Sequence, residues 1–198
     1  MSIAFIICGA LAREVLAIIE RQHWAVDVYG IPAIDHMYPD RIAPNVVRKV
    51  EAIRARYDRV LVIYGDCGTR GALDDFLSRD NLERVAGPHC YEMYGGRLFA
   101  DLMDEEPGTF FLTDFLVRGF NGTIWRGLGL DRYPELMDDY FHNYRRLVYL
   151  TQIESLDLVE KAQQIATLLG LPLQVIHTGY GQLEKRLCDW MDKPASMT

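Results

Sequence analysis

Short apolar runs alternate along the whole chain with stretches in which apolar residues recur every three or four positions. IAFII (3–7), RVLVIY (59–64) and RRLVYLTQ (145–152) show little polar alternation, as expected of strands covered on both faces. WAVDVYG (24–30), the short ERVAG (83–87), GTFFLT (108–113) and LPLQVIH (171–177) complete the expected strands. The intervening segments 11–22, 44–57, 69–79, 88–106, 131–144, 156–170 and 181–191 carry helical spacing. Pro44 suits the first turn of its helix, where no backbone N–H is needed. The Gly-rich, aromatic stretch GFNGTIWRGLGLDRYPEL (119–136) reads as a long loop, a lid or substrate wall.

Strands covered on both faces and alternating with helices predict an α/β fold. The expected architecture is a three-layer sandwich with a mostly parallel, Rossmann-like sheet and right-handed crossovers. No linker, repeat or low-complexity segment interrupts residues 1–198, so they are read as one domain. Ligands of such sheets bind beyond the carboxyl ends of the strands, so the chemistry is sought there.

A net charge of -7 argues against a nucleic-acid partner, which requires a basic face. No apolar run reaches the ~18 residues needed to span a bilayer. The segment MSIAFIICGALAREV lacks a basic leader and soon meets Arg13 and Glu14, so it reads as a first strand and helix of a cytoplasmic protein. A small-molecule substrate fits this profile, and an acidic domain of this size is compatible with a homo-oligomer.

At the expected strand tips stand Cys8, Asp66, Cys67, His89, Cys90, Asp114 and His177. Three of the four cysteines thus fall on one edge, each within two positions of a glycine or proline. Thiols beside helix starts are expected to have lowered pKa values, because the helix dipole and free N–H groups favour the thiolate. Three thiolates select a soft metal, with zinc as the inferred ion and Cys8, Cys67 and Cys90 as its ligands. His89, Glu92, Asp114 or His177 can supply a fourth ligand, or act as acid or base. The catalytic candidates are Glu92, His89 and Asp114; Arg70, Arg118 and His177 are the candidates for binding substrate.

Plainer roles compete at each position. Cys8 borders an apolar strand and could simply pack, and Asp114 could cap the following helix. Cys188 reads as an interior thiol. His23, His36 and His142 need only capping or solvent-facing roles. YGDCGTRG (64–71) is Gly-rich but matches neither GxxxxGK[ST] nor GxGxxG, which leaves a phosphate loop poorly supported.

IICGAL (6–11), YGDCGT (64–69), GPHCYEMYGG (87–96) and FLTDFLVRGF (111–120) together resemble an uncharacterised bacterial and archaeal family of unknown function with CG, GxCG and HCYE motifs. The resemblance implies association with corrinoid-dependent methyl-transfer systems, with a corrinoid protein or methyltransferase as partner and the corrinoid carried by that partner. Its pattern falls on Cys8, Cys67, Cys90 and Glu92.

Two classes of function follow. In the first, a zinc enzyme activates a substrate thiol for methyl transfer, or water for hydrolysis. In the second, an accessory protein binds a metal or cofactor for a methyltransferase system without catalysis of its own. Thiol redox chemistry without metal is a third course and would need two cysteines at disulfide distance.

Overall fold

The central strands are continuous apolar runs because helices cover them on both faces. In a computed structural model, residues 1–85, 87 and 89–193 are described. Ala86 and Pro88, in the expected strand 83–87 and helix 88–106, lie outside the described residues, as do residues 194–198. The chain forms two compact units, Met1–Met93 with Gln182–Thr198, and Tyr94–Gly181. The α/β class and parallel pairing agree with the pattern, but the strands are shared between two sheets rather than one.

The first unit holds β1 (Ile3–Cys8), β2 (Asp27–Ile31), β3 (Arg59–Ile63) and β4 (Glu83–Arg84) in the order β2-β1-β3-β4, all parallel. All six residues of β1 and all five of β3 are buried, whereas β2 runs from exposed to buried and both residues of β4 are half-buried at the edges. Helices α1 (Ala12–Arg21), α2 (Ile42–Ile53) and α3 (Ala72–Arg79) follow β1, β2 and β3. α2 begins two residues before Pro44, which therefore sits in its first turn as the sequence implies. Arg59, at the start of β3, donates to the carbonyls of Trp190 (2.8 Å) and Lys193 (3.0 Å) and lies 3.7 Å from the centre of the Trp190 ring. That fastens the end of α9 (Gly181–Met191) to the sheet. Cys188 on this helix is half-buried rather than interior.

The segment expected as one helix over 88–106 is two, α4 (Cys90–Gly95) and α5 (Arg97–Glu105). Gly96 separates them at φ 53°, a left-handed conformation that glycine adopts without the Cβ clash.

In the second unit β5 (Thr109–Thr113), β6 (Arg146–Thr151) and β7 (Leu173–His177) pair in parallel in sequence order. α8 (Leu156–Leu169) has an ordinary start and stop. The Ser155 hydroxyl accepts from Leu158 N, and Gly170 closes the helix at φ 67°. Its Leu158, Ala162, Ile165, Ala166 and Leu169 share one face and join the core with Leu112, Leu147 and Tyr149. The expected loop 119–136 is partly helical. α6 (Asp114–Phe120) runs into a π-helical turn, Asn121–Trp125, and a short α7 (Met137–Phe141) lies just beyond the expected loop. Val117, Phe120 and Leu130 are buried and outweigh the low helix propensity of Gly119 and Gly122.

Candidate functional site

Cys8 ends β1 at the carboxyl edge of the first unit's sheet. Its thiol caps the following turn, accepting from Ala10 N at 3.4 Å. Gly9 is needed beside it, because a Cβ there would stand 3.0 Å from both Ile31 O and Ala33 N. That close approach brings the segment after β2 against Cys8 and places His36 in the site. His36 Nε2 lies 3.8 Å and Nδ1 4.0 Å from Cys8 Sγ. Nδ1 is 2.9 Å from the Ala33 carbonyl, which can only accept; Nδ1 therefore carries the proton and Nε2 presents its lone pair. The ring stacks on Tyr64 at 5.6 Å. Tyr64 itself is wholly buried, and its hydroxyl has no hydrogen-bond partner of good geometry among the described residues.

Cys67 sits in the loop between β3 and α3 at φ 47°, followed by Gly68 at 88°, Arg70 at 55° and Gly71 at 87°. Left-handed φ at two non-glycine residues is strained and persists only where the surroundings enforce it. Asp66 does so here. Its carboxylate accepts from the Thr69 hydroxyl, Gly71 N (3.0 Å) and Arg70 N (3.3 Å), and these bonds hold its carboxyl below the usual range.

Arg84 on β4 joins this loop to the one bearing Cys90. One arm, Nη1, donates to the carbonyls of Gly87 (3.1 Å), Val85 (3.2 Å) and Tyr64 (3.3 Å), while Nε and Nη2 grip Asp74 at 2.5 and 2.8 Å. Asp66 N also donates to Gly87 O at 3.2 Å.

Cys90 begins α4. Two residues on, Glu92 forms a bidentate pair with Arg186 of α9, at 2.6 and 2.9 Å. The expected proton carrier is thus held as a brace for this helix. His89, half-buried, has its pKa lowered by desolvation against the opposing pull of Glu92, so it is neutral near pH 7 and can accept a proton. Arg70 is exposed, and its backbone rather than its side chain is held by Asp66.

Cys67 is raised in part by Cys8, and Cys90 by both of the other thiols. Burial is nevertheless the largest influence on each. It pushes Cys8 up to about 11 and Cys67 to about 12, and it pushes Cys90 up as well. The lowered thiol pKa values expected from the sequence are therefore corrected. The N–H groups of Ala10 and Leu11 do favour a Cys8 thiolate, but desolvation outweighs them. Among the described residues, no group of three or more His, Cys, Asp or Glu side chains stands in metal-holding geometry.

A consequence can be tested by labelling the metal-free protein with iodoacetamide across pH. The thiolate is the reacting species, and a Cys8 thiol of pKa about 11 is ionised to only about one part in a thousand at pH 8. Labelling of Cys8 and Cys67, followed by peptide mass, is expected to keep rising beyond pH 9; saturation by pH 8 would contradict the burial. A raised thiol pKa favours the folded protein below the unfolded pKa of ~8.5, and that stability is lost as pH rises towards the folded value.

The remaining sequence candidates lie in the second unit. Asp114, the first residue of α6, is fully buried. Its oxygens accept from Tyr149 Oη (2.6 Å), Gln152 N (3.1 Å), Ile153 N (3.2 Å) and Arg118 Nη2 (3.5 Å). It ties α6 to β6 and the residues just beyond that strand, and Thr113 rather than Asp114 holds the capping position. His177 ends β7 with Nδ1 2.9 Å from the Thr151 hydroxyl.

Sequence reasoning missed His36, Tyr64 and Arg84. Tyr64 closes the expected strand 59–64 and Arg84 lies in the expected strand 83–87, a weak signal. Nothing in the spacing of His36 connects it to Cys8.

Fold and site together define a parallel α/β protein with one buried and two half-buried thiols at the carboxyl edge of a sheet. The chain belongs to the family described as Protein of unknown function (DUF1638), whose model matches residues 31–187. The matched stretch contains His36, Cys67, Cys90 and Glu92 and begins after Cys8. No curated protein and no solved structure matches the chain. Among the described residues, no helix is long and apolar enough to cross a membrane.

Proposed function

We propose that the protein binds a soft metal ion, zinc being the natural choice, through Cys8, Cys67 and Cys90, and acts as an enzyme on a small molecule in corrinoid-linked methyl transfer. The observation that carries this reading is the placing of Cys8, Cys67 and Cys90 at the tips of neighbouring strands of one sheet, with His36 Nε2 3.8 Å from Cys8 Sγ; the raising of Cys67 by Cys8, and of Cys90 by both, accords with it. Three thiolates drawn together at this edge would repel one another, and a cation among them would offset both that repulsion and the desolvation. The donor set suits zinc, although the side chains must draw together to reach ligand distance. The Ala33 carbonyl on Nδ1 already fixes the His36 ring in the way a ligating imidazole needs.

A bound zinc ion would supply the charge that lowers the pKa of a substrate thiol. His89, kept neutral by burial, would take the thiol proton. Arg70, beside Cys67, is the cation available to an anionic substrate. A groove of about 560 Å³ adjoins the loop, with Pro39 and Thr69 on its wall and Arg48, Arg79, Asp40 and Glu51 around it. In the transfer, the substrate sulfur's lone pair forms the new S–CH3 bond. The cobalt–carbon electron pair would remain with the partner's corrinoid, Co(III) becoming Co(I), and the thiol proton would pass to His89.

The position of His36 favours a second reading. If Nε2 takes the fourth place, the site is closed, as suits a metal- or cofactor-binding accessory protein. Incubating zinc-loaded protein with methylcobalamin and 2-mercaptoethanol distinguishes the two. Formation of the methyl thioether and Co(I), lost in Cys67→Ser, supports the enzyme. Zinc binding without transfer supports the accessory role, and no zinc binding removes both.

A further inference from the structure

A groove of about 310 Å³ in the second unit runs along α6 and α8, lined by Arg118, Asn121, Lys161, Gln164, Ile165 and Leu168 among others. Among the described residues its polar side chains are two cations and two carboxamides, and no carboxylate lines it. In a chain of net charge -7, that concentration of positive charge is unlike the whole.

The two cations are held differently. Arg118 is braced by fully buried Asp114, with Nη2 3.5 Å from Oδ2, and its Nη1 is buried without a hydrogen-bond partner among the described residues. A guanidinium with an unused buried donor is costly unless something else accepts from it. Lys161 is exposed and forms no ion pair among the described residues. The groove also borders the π-helical turn Asn121–Trp125, a distortion often found at functional positions. Ile165 and Leu168 add an apolar strip beside the polar groups.

We propose that this groove binds a small organic oxyanion. The head group, a carboxylate or phosphate, lies between Arg118 and Lys161 with the carboxamides of Asn121 and Gln164 as further donors. A short apolar chain rests on Ile165 and Leu168. A planar guanidinium and a point-charge ammonium together suit either head group. The assignment is independent of the metal reading, since no thiol takes part.

The test titrates the full-length, isotope-labelled protein at low salt with butyrate, butyl phosphate and, as the uncharged control, butyramide. Saturating amide shifts around 118–121 and 161–168 are expected with the two anions and not with butyramide. The tighter anion names the head group. Lys161→Ala, an exposed change that should leave the fold intact, is expected to weaken binding about tenfold, and Lys161→Glu to abolish it. Arg118→Gln should weaken it further if the variant folds; if it does not, the two Lys161 variants carry the test. No saturating shifts in the groove, equal shifts with butyramide, or unchanged affinity in Lys161→Glu would overturn the proposal.

Discussion

Replacing Arg84 with alanine is expected to lower stability by about 3 kcal/mol and to weaken cadmium binding at the thiol site more than tenfold. Asp74, the carboxylate partner, is half exposed, so that ion pair contributes little by itself. The larger loss comes from the carbonyls of Tyr64 and Val85, which would lose the Nη1 donor they share with Gly87 O; Gly87 O would keep a second donor, Asp66 N. These carbonyls end β3 and follow β4, so the clamp sets the loops of Cys67 and Cys90 relative to each other. Lysine at 84 is expected to recover less than half of both effects, because an ammonium cannot reproduce the fork. Denaturant midpoints at unchanged slope, with cadmium–thiolate absorption as the second readout, check the expectation. A stability loss under 1 kcal/mol with unaltered cadmium binding would contradict it.

The second large effect belongs to Asp114. Alanine there would strand Tyr149 Oη and the Gln152 N–H in the core, take the acceptor from the N–H of exposed Ile153 and leave Arg118 without its carboxylate. The expected cost is about 3–5 kcal/mol, within the range for breaking a buried charged network. Asparagine retains one acceptor but turns an amide donor towards donors, so about half the loss is expected to remain. Tyr149, whose hydroxyl is pushed well above the usual tyrosine range by burial and by Asp114, gives a second readout. In Asp114→Asn its titration should move back down, since the repelling negative charge is gone. An Asp114→Ala protein as stable as wild type would contradict the structural role assigned here.

The strands were legible because a buried parallel strand must be apolar on both faces; β1 and β3 are buried at every position. Their division into two sheets was not legible, since hydropathy records burial and not which strand is the neighbour. α6 was hidden by Gly119 and Gly122, although the apolar spacing of Val117, Phe120 and Ile124 already marked a helical face. The residues at the strand tips were legible from the α/β rule, but their roles were less so. Asp114 and Glu92 looked like free carboxylates because their partners, Tyr149 and Arg186, lie 35 and 94 positions away in the chain. His36 reaches Cys8 only because Gly9 admits the backbone of the segment after β2. The direction of the thiol pKa shifts also escaped the sequence, which shows the helix starts that favour a thiolate but not the burial that opposes them.

The most direct measurement is zinc content per chain in protein purified without chelator under reducing conditions, compared with the Cys8→Ser, Cys67→Ser and Cys90→Ser variants. One equivalent in the wild type, lost in each folded variant and reduced in His36→Ala, is the predicted result. No zinc in the wild type, or an equivalent that survives all three serine substitutions, would contradict a metal centre on these thiols.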